Sequence, residues 1–127
     1  FEFIRSTDFL PEDDFWKWKI LFLEKALRET DIEKLKSILR YYGKTWVFGK
    51  ISAILFGRMR DHSEAEKKEI DIVIRGVISG EFNERKLPIV TNMSFGHTDP
   101  QFILPLWVNA EFDCDSLSFK LLESPFK

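Results

Sequence analysis

Three short apolar runs, separated by segments of helical period, constrain this chain more than any other feature. Ile20-Leu21-Phe22-Leu23, Ile51 to Phe56 and Leu87 to Met93 are apolar at nearly every position rather than at alternate ones. An alternating strand can leave one face in water. A strand that is apolar throughout needs cover on both faces, as in a parallel sheet with helices packed against it. The intervening segments fit that demand. Thr30-Asp31-Ile32-Glu33 and Ser63-Glu64-Ala65-Glu66 have the form of capping boxes, in which a hydroxyl and a carboxylate satisfy the free amides of a first helical turn. Ile32, Leu35, Leu39 and Tyr42 then fall on one helical stripe, with Gly43 placed to end the helix. Ile70, Val73, Ile74, Val77 and Ile78 form the stripe of a second helix, with Gly80 after it. Gly76 inside that helix costs about 1 kcal/mol relative to Ala, and nothing in the sequence explains it.

The remainder of the chain completes one α/β domain over residues 1–127. Residues 1–14 read as an irregular leading segment ending in the acidic Pro11-Glu12-Asp13-Asp14. The first strand is expected to run from Trp16 to Glu24, so that Trp16, Trp18, Ile20, Phe22 and Glu24 share a face. The chain closes with an expected hairpin, Trp107 to Cys114 and Leu117 to Leu122, turning at Asp115-Ser116. In its first strand Val108, Ala110, Phe112 and Cys114 face inward, while Asn109, Glu111 and Asp113 face out with Trp107 at their parity. The expected architecture is a small mixed, partly closed, barrel-like sheet with two main helices, of the swivelling-domain type.

Composition excludes several function classes. A chain of 127 residues, 44% hydrophobic and 31% charged, can bury a core of ordinary size. Its formal net charge of −2 gives no basic face for nucleic acid. Cys114 is the single cysteine, which rules out an internal disulfide and fits a cytoplasmic location. No run is long enough to cross a membrane as a helix, and neither a membrane partner nor a signal peptide is expected. Because Phe1 is not an initiator methionine, the start reads as a cut or processed end. His62 and His97 are far apart, and Cys114 has no ligand-type neighbour, so no metal and no cofactor are expected. His62 reads as a solvated loop residue before the second cap. Gly57-Arg58 carries no phosphate-loop pattern.

The residues with most chemical content are in the turn Phe95-Gly96-His97-Thr98-Asp99-Pro100, which follows the third apolar run. Gly96 permits a bend that a side chain would obstruct, and Pro100 makes Asp99 extended. The turn therefore holds an imidazole at a strand end, where α/β folds keep their chemistry. Phe95 to Pro100, followed by Leu104-Pro105-Leu106, resembles the "FGH(T)DP…LP(I/L)G" signature of the LD-carboxypeptidase and microcin-immunity serine peptidases. Lys19-Ile20-Leu21-Phe22-Leu23-Glu24 is similar to that family's "GKILFLE", and Ile51 to Arg58 is similar to its middle strand. The three blocks keep the family's order and spacing and cover its C-terminal domain alone.

The resemblance implies a serine nucleophile, a glutamate and a histidine acting together. The matching positions here are Glu24 and His97, with Glu29 a weaker candidate carboxylate. In such a triad the histidine takes the nucleophile's proton, and a carboxylate on its other nitrogen fixes the tautomer. Without the resemblance Glu24 is simply a strand-end carboxylate in water. The nucleophile belongs to an N-terminal domain that this chain is expected to lack. Ser6, Ser37, Ser52, Ser63, Ser79, Ser94, Ser116, Ser118 and Ser124 include none in a Gly-x-Ser-x-Gly elbow. A base without a nucleophile and an oxyanion hole catalyses little, so the chain is expected to be no enzyme on its own.

The chain departs from the family pattern at Trp18, Trp46 and Trp107, where glycine is usual. Trp16 and Trp18 fit either a core or a surface role, whereas Trp107 has the parity of a polar face. Tryptophan is enriched at the hot spots of protein interfaces. Two readings follow. One is a catalytically silent, engineered isolated domain whose aromatic surface at Trp18, Trp46 and Trp107 takes a protein partner or forms a homodimer. The other is the C-terminal half of a serine peptidase acting on murein peptides or a peptide-nucleotide antibiotic, which needs its N-terminal domain.

Overall fold

In the computed structural model of the chain, residues 13–24, 32–59 and 61–124 are described. The expected Thr30-Asp31 cap, Ser6, Glu29 and most of the leading segment lie outside these residues. A 3-10 turn at Asp13–Trp16 leads into β1 (Ile20–Leu23). Helix α1 (Ile32–Lys44), strand β2 (Ala53–Gly57), helix α2 (Glu64–Arg75) and strand β3 (Ile89–Met93) follow. The three strands form one parallel sheet in the order β1-β2-β3, with Ile20 opposite Ala53 and Leu23 opposite Phe56. A separate antiparallel hairpin is made by β4 (Ala110–Asp113) and β5 (Ser118–Leu121).

The apolar runs become strands with cover on both sheet faces that is complete at β2 and partial at the edge strands β1 and β3. On one face Leu21, Leu23, Ile54, Phe56 and Ile89 pack with Leu35 and Leu39 of α1 and Ile70 and Ile74 of α2. Leu39, Ile54, Ile74 and Ile78 lose all or nearly all contact with water. Burial of such a side chain is worth about 1.5–3 kcal/mol. On the other face the Phe22 ring meets Phe95 and Phe119 edge-on, at centroid distances of 5.6 and 6.3 Å. The central strand β2 is buried at every position. Both parts of the capping box at Ser63 form: Ser63 Oγ accepts from the Glu66 amide, and the Glu66 carboxylate accepts from the Ser63 amide.

Several expectations are corrected. No closed barrel forms among the described residues, because the hairpin makes its own two-stranded sheet. The first strand begins at Ile20, and the turn before it breaks the parity that would have put Trp16 and Trp18 on one face. Trp16 packs against the helix-side core, with its ring 6.1 Å from that of Tyr42, whereas Trp18 is exposed. Gly43 does not end α1. It is buried inside the last turn, where a Cβ would collide with the Phe82 ring. Gly76 begins a π-helical stretch, Gly76–Glu81, that continues from α2 and keeps Val77 and Ile78 buried. Its own surroundings are open. The hairpin strands are shorter than expected, and Cys114 lies exposed in the turn rather than facing inward.

Candidate functional site

In a parallel sheet all strands deliver their C-terminal ends to one edge, and ligand sites of open α/β sheets lie there. Here β1 ends into Glu24, β2 into Gly57-Arg58 and β3 into the turn Ser94 to His97. The edge is knitted by backbone bonds. The Arg58 amide donates to the Met93 carbonyl at 2.7 Å, and the Phe95 amide to the same carbonyl at 2.9 Å. The Arg58 guanidinium donates to Ser94 Oγ at 2.6 Å. Phe95 is buried beneath the turn, and the Thr98 amide donates to the Gly96 carbonyl at 2.9 Å.

Within this turn Glu24 and His97, 73 positions apart, make two contacts. Glu24 Oε1 accepts the His97 backbone amide at 2.5 Å and lies 2.6 Å from Nδ1 of the ring. Gly96 makes the approach possible. Its φ is +84°, a region that favours glycine, and a Cβ there would occupy the space of the Glu24 carboxylate. The Glu24 side chain retains 26% of its surface and the His97 ring 73%. A carboxylate on Nδ1 puts the neutral ring's proton on that nitrogen, leaving Nε2 as the basic one. The arrangement can therefore accept a proton at Nε2 and stabilise the resulting imidazolium. The Asp99–Pro100 bond that leaves the turn is cis.

Among the described residues no serine hydroxyl is hydrogen-bonded to His97, whose bonds go to Glu24. Ser63 caps α2, Ser94 receives Arg58, and Ser116 and Ser118 bond each other in the hairpin turn. His62 lies in the turn before α2. Among the described residues no group of three or more His, Cys, Asp or Glu side chains comes together to hold a metal ion. No helix among them is long and apolar enough to cross a membrane.

The three tryptophans singled out from the sequence are exposed: Trp18 by 85%, Trp46 by 76% and Trp107 by 77%. They do not form one cluster around a single site. Trp18 and Trp107 line an open groove of about 390 Å³ with Phe15, Trp16, Phe22, Leu106 and Phe119, and Trp46 takes no part in it. The Trp107 ring meets Phe15 edge-on at 5.6 Å. Sequence reasoning missed Arg58 as part of the site's edge. Its place directly after the second apolar run was the available signal.

Comparison with known proteins bears on the family and the fold. The family profile described as the LD-carboxypeptidase C-terminal domain matches residues 1–112. The microcin C7 self-immunity protein MccF of Escherichia coli is 27% identical over 123 residues, 94% of this chain and 33% of that protein. Solved structures of the microcin C7 self-immunity protein align with a TM-score of 0.76 at 25% identity. One is a complex with aspartyl sulfamoyl adenosine and another an active-site mutant in the apo state; each covers 98% of this chain and 35% of the other. The chain thus spans about a third of the length of the relatives it matches.

Proposed function

This chain belongs to the LD-carboxypeptidase C-terminal domain family, and from that premise we propose that it supplies the general base of a serine peptidase and is silent without the nucleophile. The observation that carries this reading is the double contact of Glu24 Oε1 with the amide and Nδ1 of His97. A serine hydroxyl brought to Nε2 would pass its proton to the ring as its oxygen attacks the scissile carbonyl. The imidazolium would then give that proton to the departing nitrogen, while Glu24 stays ionised and holds the ring. Water would repeat the sequence on the acyl-enzyme. The substrate class that fits the relatives is the amide of a murein peptide or of a peptide-nucleotide antibiotic. The relative bound to aspartyl sulfamoyl adenosine supports the second. The free, exposed Cys114 suits a reducing, cytoplasmic setting.

A fluorophosphonate probe tests this reading. The isolated chain should give no serine adduct, and a fusion to the serine-bearing domain of a relative should react and hydrolyse substrate. His97→Ala in that fusion should cost at least about a hundredfold in kcat, the lower range for a general base. A stoichiometric adduct on the isolated chain, or a fully active His97→Ala fusion, would overturn it.

A second reading concerns the groove. Exposed Phe15, Trp18, Leu106 and Trp107 together present apolar surface of the kind that soluble proteins cover with another protein surface. This supports contact with a protein partner, whether the rest of such an enzyme or a second copy of the chain. Sedimentation across a concentration series separates the two, since only the second copy raises the mass of the chain alone. A monomer at every concentration excludes self-association.

A further inference from the structure

Seven non-glycine residues among those described have positive φ. Three are Asp61, Asn83 and Asn92, the residue types whose short polar side chains tolerate that region. Three more are Trp18 at 63°, Trp46 at 61° and Trp107 at 66°. Tryptophan has no such tolerance, and three of the four in the chain are found there. The fourth, Trp16, has no positive φ and is half-buried against the core. The tryptophans thus divide by backbone and burial together. The one in an ordinary conformation is packed, and the three in the left-handed region are at least three-quarters exposed.

Each of the three positions performs a task of glycine. The Val47 amide donates to the Tyr42 carbonyl and the Trp46 amide to the Gly43 carbonyl, both at 3.0 Å. These are the two bonds of a Schellman motif, with Trp46 at the left-handed position after the helix, where glycine is the usual residue. Trp18 reverses the chain between the 3-10 turn and β1, its amide donating to the Lys50 carbonyl at 3.1 Å. Trp107 lies in the turn that leads towards β4. Burial offsets the steric cost at none of them. Glycine is also scarce, with six in 127 residues against a usual share of about 7%, a share that three more would restore. Leu117, also left-handed at 51°, lies outside this pattern.

We infer that positions 18, 46 and 107 are glycine in the protein as its source makes it, encoded by UGA codons that the source reads as glycine. The meaning of UGA differs among genetic codes, tryptophan in some and glycine in others. One reassignment therefore changes these three positions together and leaves a tryptophan encoded by UGG, as at position 16, untouched. It requires no engineering of the chain. It removes three exposed indoles at the loss of one described ring contact, that of Trp107 with Phe15. The groove then keeps Phe15, Trp16, Phe22, Leu106 and Phe119 as its apolar lining.

The test is the gene and the native protein read side by side. Source DNA should carry TGA (UGA in the messenger) at codons 18, 46 and 107 and TGG (UGG in the messenger) at codon 16. Tandem mass spectrometry of peptides from protein purified from the source should show glycine at the first three positions and tryptophan at the fourth. UGG at any of the three codons, or tryptophan at any of those positions in the native peptides, overturns the inference.

Discussion

Replacing Trp46 by glycine should stabilise the fold, although it deletes the largest side chain from the protein. The left-handed conformation costs a residue with a Cβ about 1–2 kcal/mol. Glycine returns part of that through the greater freedom of the unfolded chain, about 0.4–1 kcal/mol. The difference leaves a net gain of about 0.8 kcal/mol at this site. Little opposes it, because the indole is 76% exposed and the Schellman bonds are made by backbone atoms that the substitution leaves in place. For a chain of this size the gain corresponds to a rise in Tm of about 2–4 °C. Urea denaturation followed by circular dichroism measures it as a higher midpoint at unchanged slope. Trp46→Ala is the control that separates ring from backbone. It removes the indole but keeps the Cβ, and should stay within about 0.5 kcal/mol of the parent. A Trp46→Gly variant less stable than the parent, or an Ala variant that gains as much as Gly, would refute the argument.

Other perturbations follow from the same geometry. Gly96→Ala should cost about 1–2 kcal/mol for its positive φ alone. It should also push the Glu24 carboxylate off His97, visible by NMR as a changed Nδ1 signal. Leu39→Ala, at a side chain with no exposure, should cost about 2–5 kcal/mol in denaturant melts. The hydrogen bond and charge of Arg40 hold the Glu81 carboxyl below the usual carboxylate range, against a smaller opposing effect of burial. Its stabilising effect is therefore present above the unfolded carboxylate pKa and lost as pH falls through the lowered folded value. Since both side chains are 42% exposed, the effect is about 0–1 kcal/mol. Glu81→Gln should flatten that part of the acid-stability curve, as melts at stepped pH can measure.

What the sequence determined by itself was whatever depends on neighbours a few positions apart. Continuous apolar runs demanded two-sided cover, and β1, β2 and β3 lie in one parallel sheet with α1 and α2 between them in the chain. The capping box at Ser63 was legible because all its partners fall within four residues. The motif resemblance pointed to Glu24 and His97 together, but only the parallel register brings the ends of β1 and β3 to one edge. Only the backbone of Gly96 lets the carboxylate reach the ring. Tertiary structure also decided where local rules compete. Gly43 looked like a helix stop, yet packing against Phe82 claimed it and the cap passed to Trp46. Period-two counting failed at Trp16 and Trp18 because a 3-10 turn resets which way successive side chains point. The hairpin did not join the parallel strands into a closed sheet, since strand pairing depends on segments remote in the chain that no local pattern encodes. Periodicity records which residues must leave water; which surfaces then meet is settled only when distant segments pack.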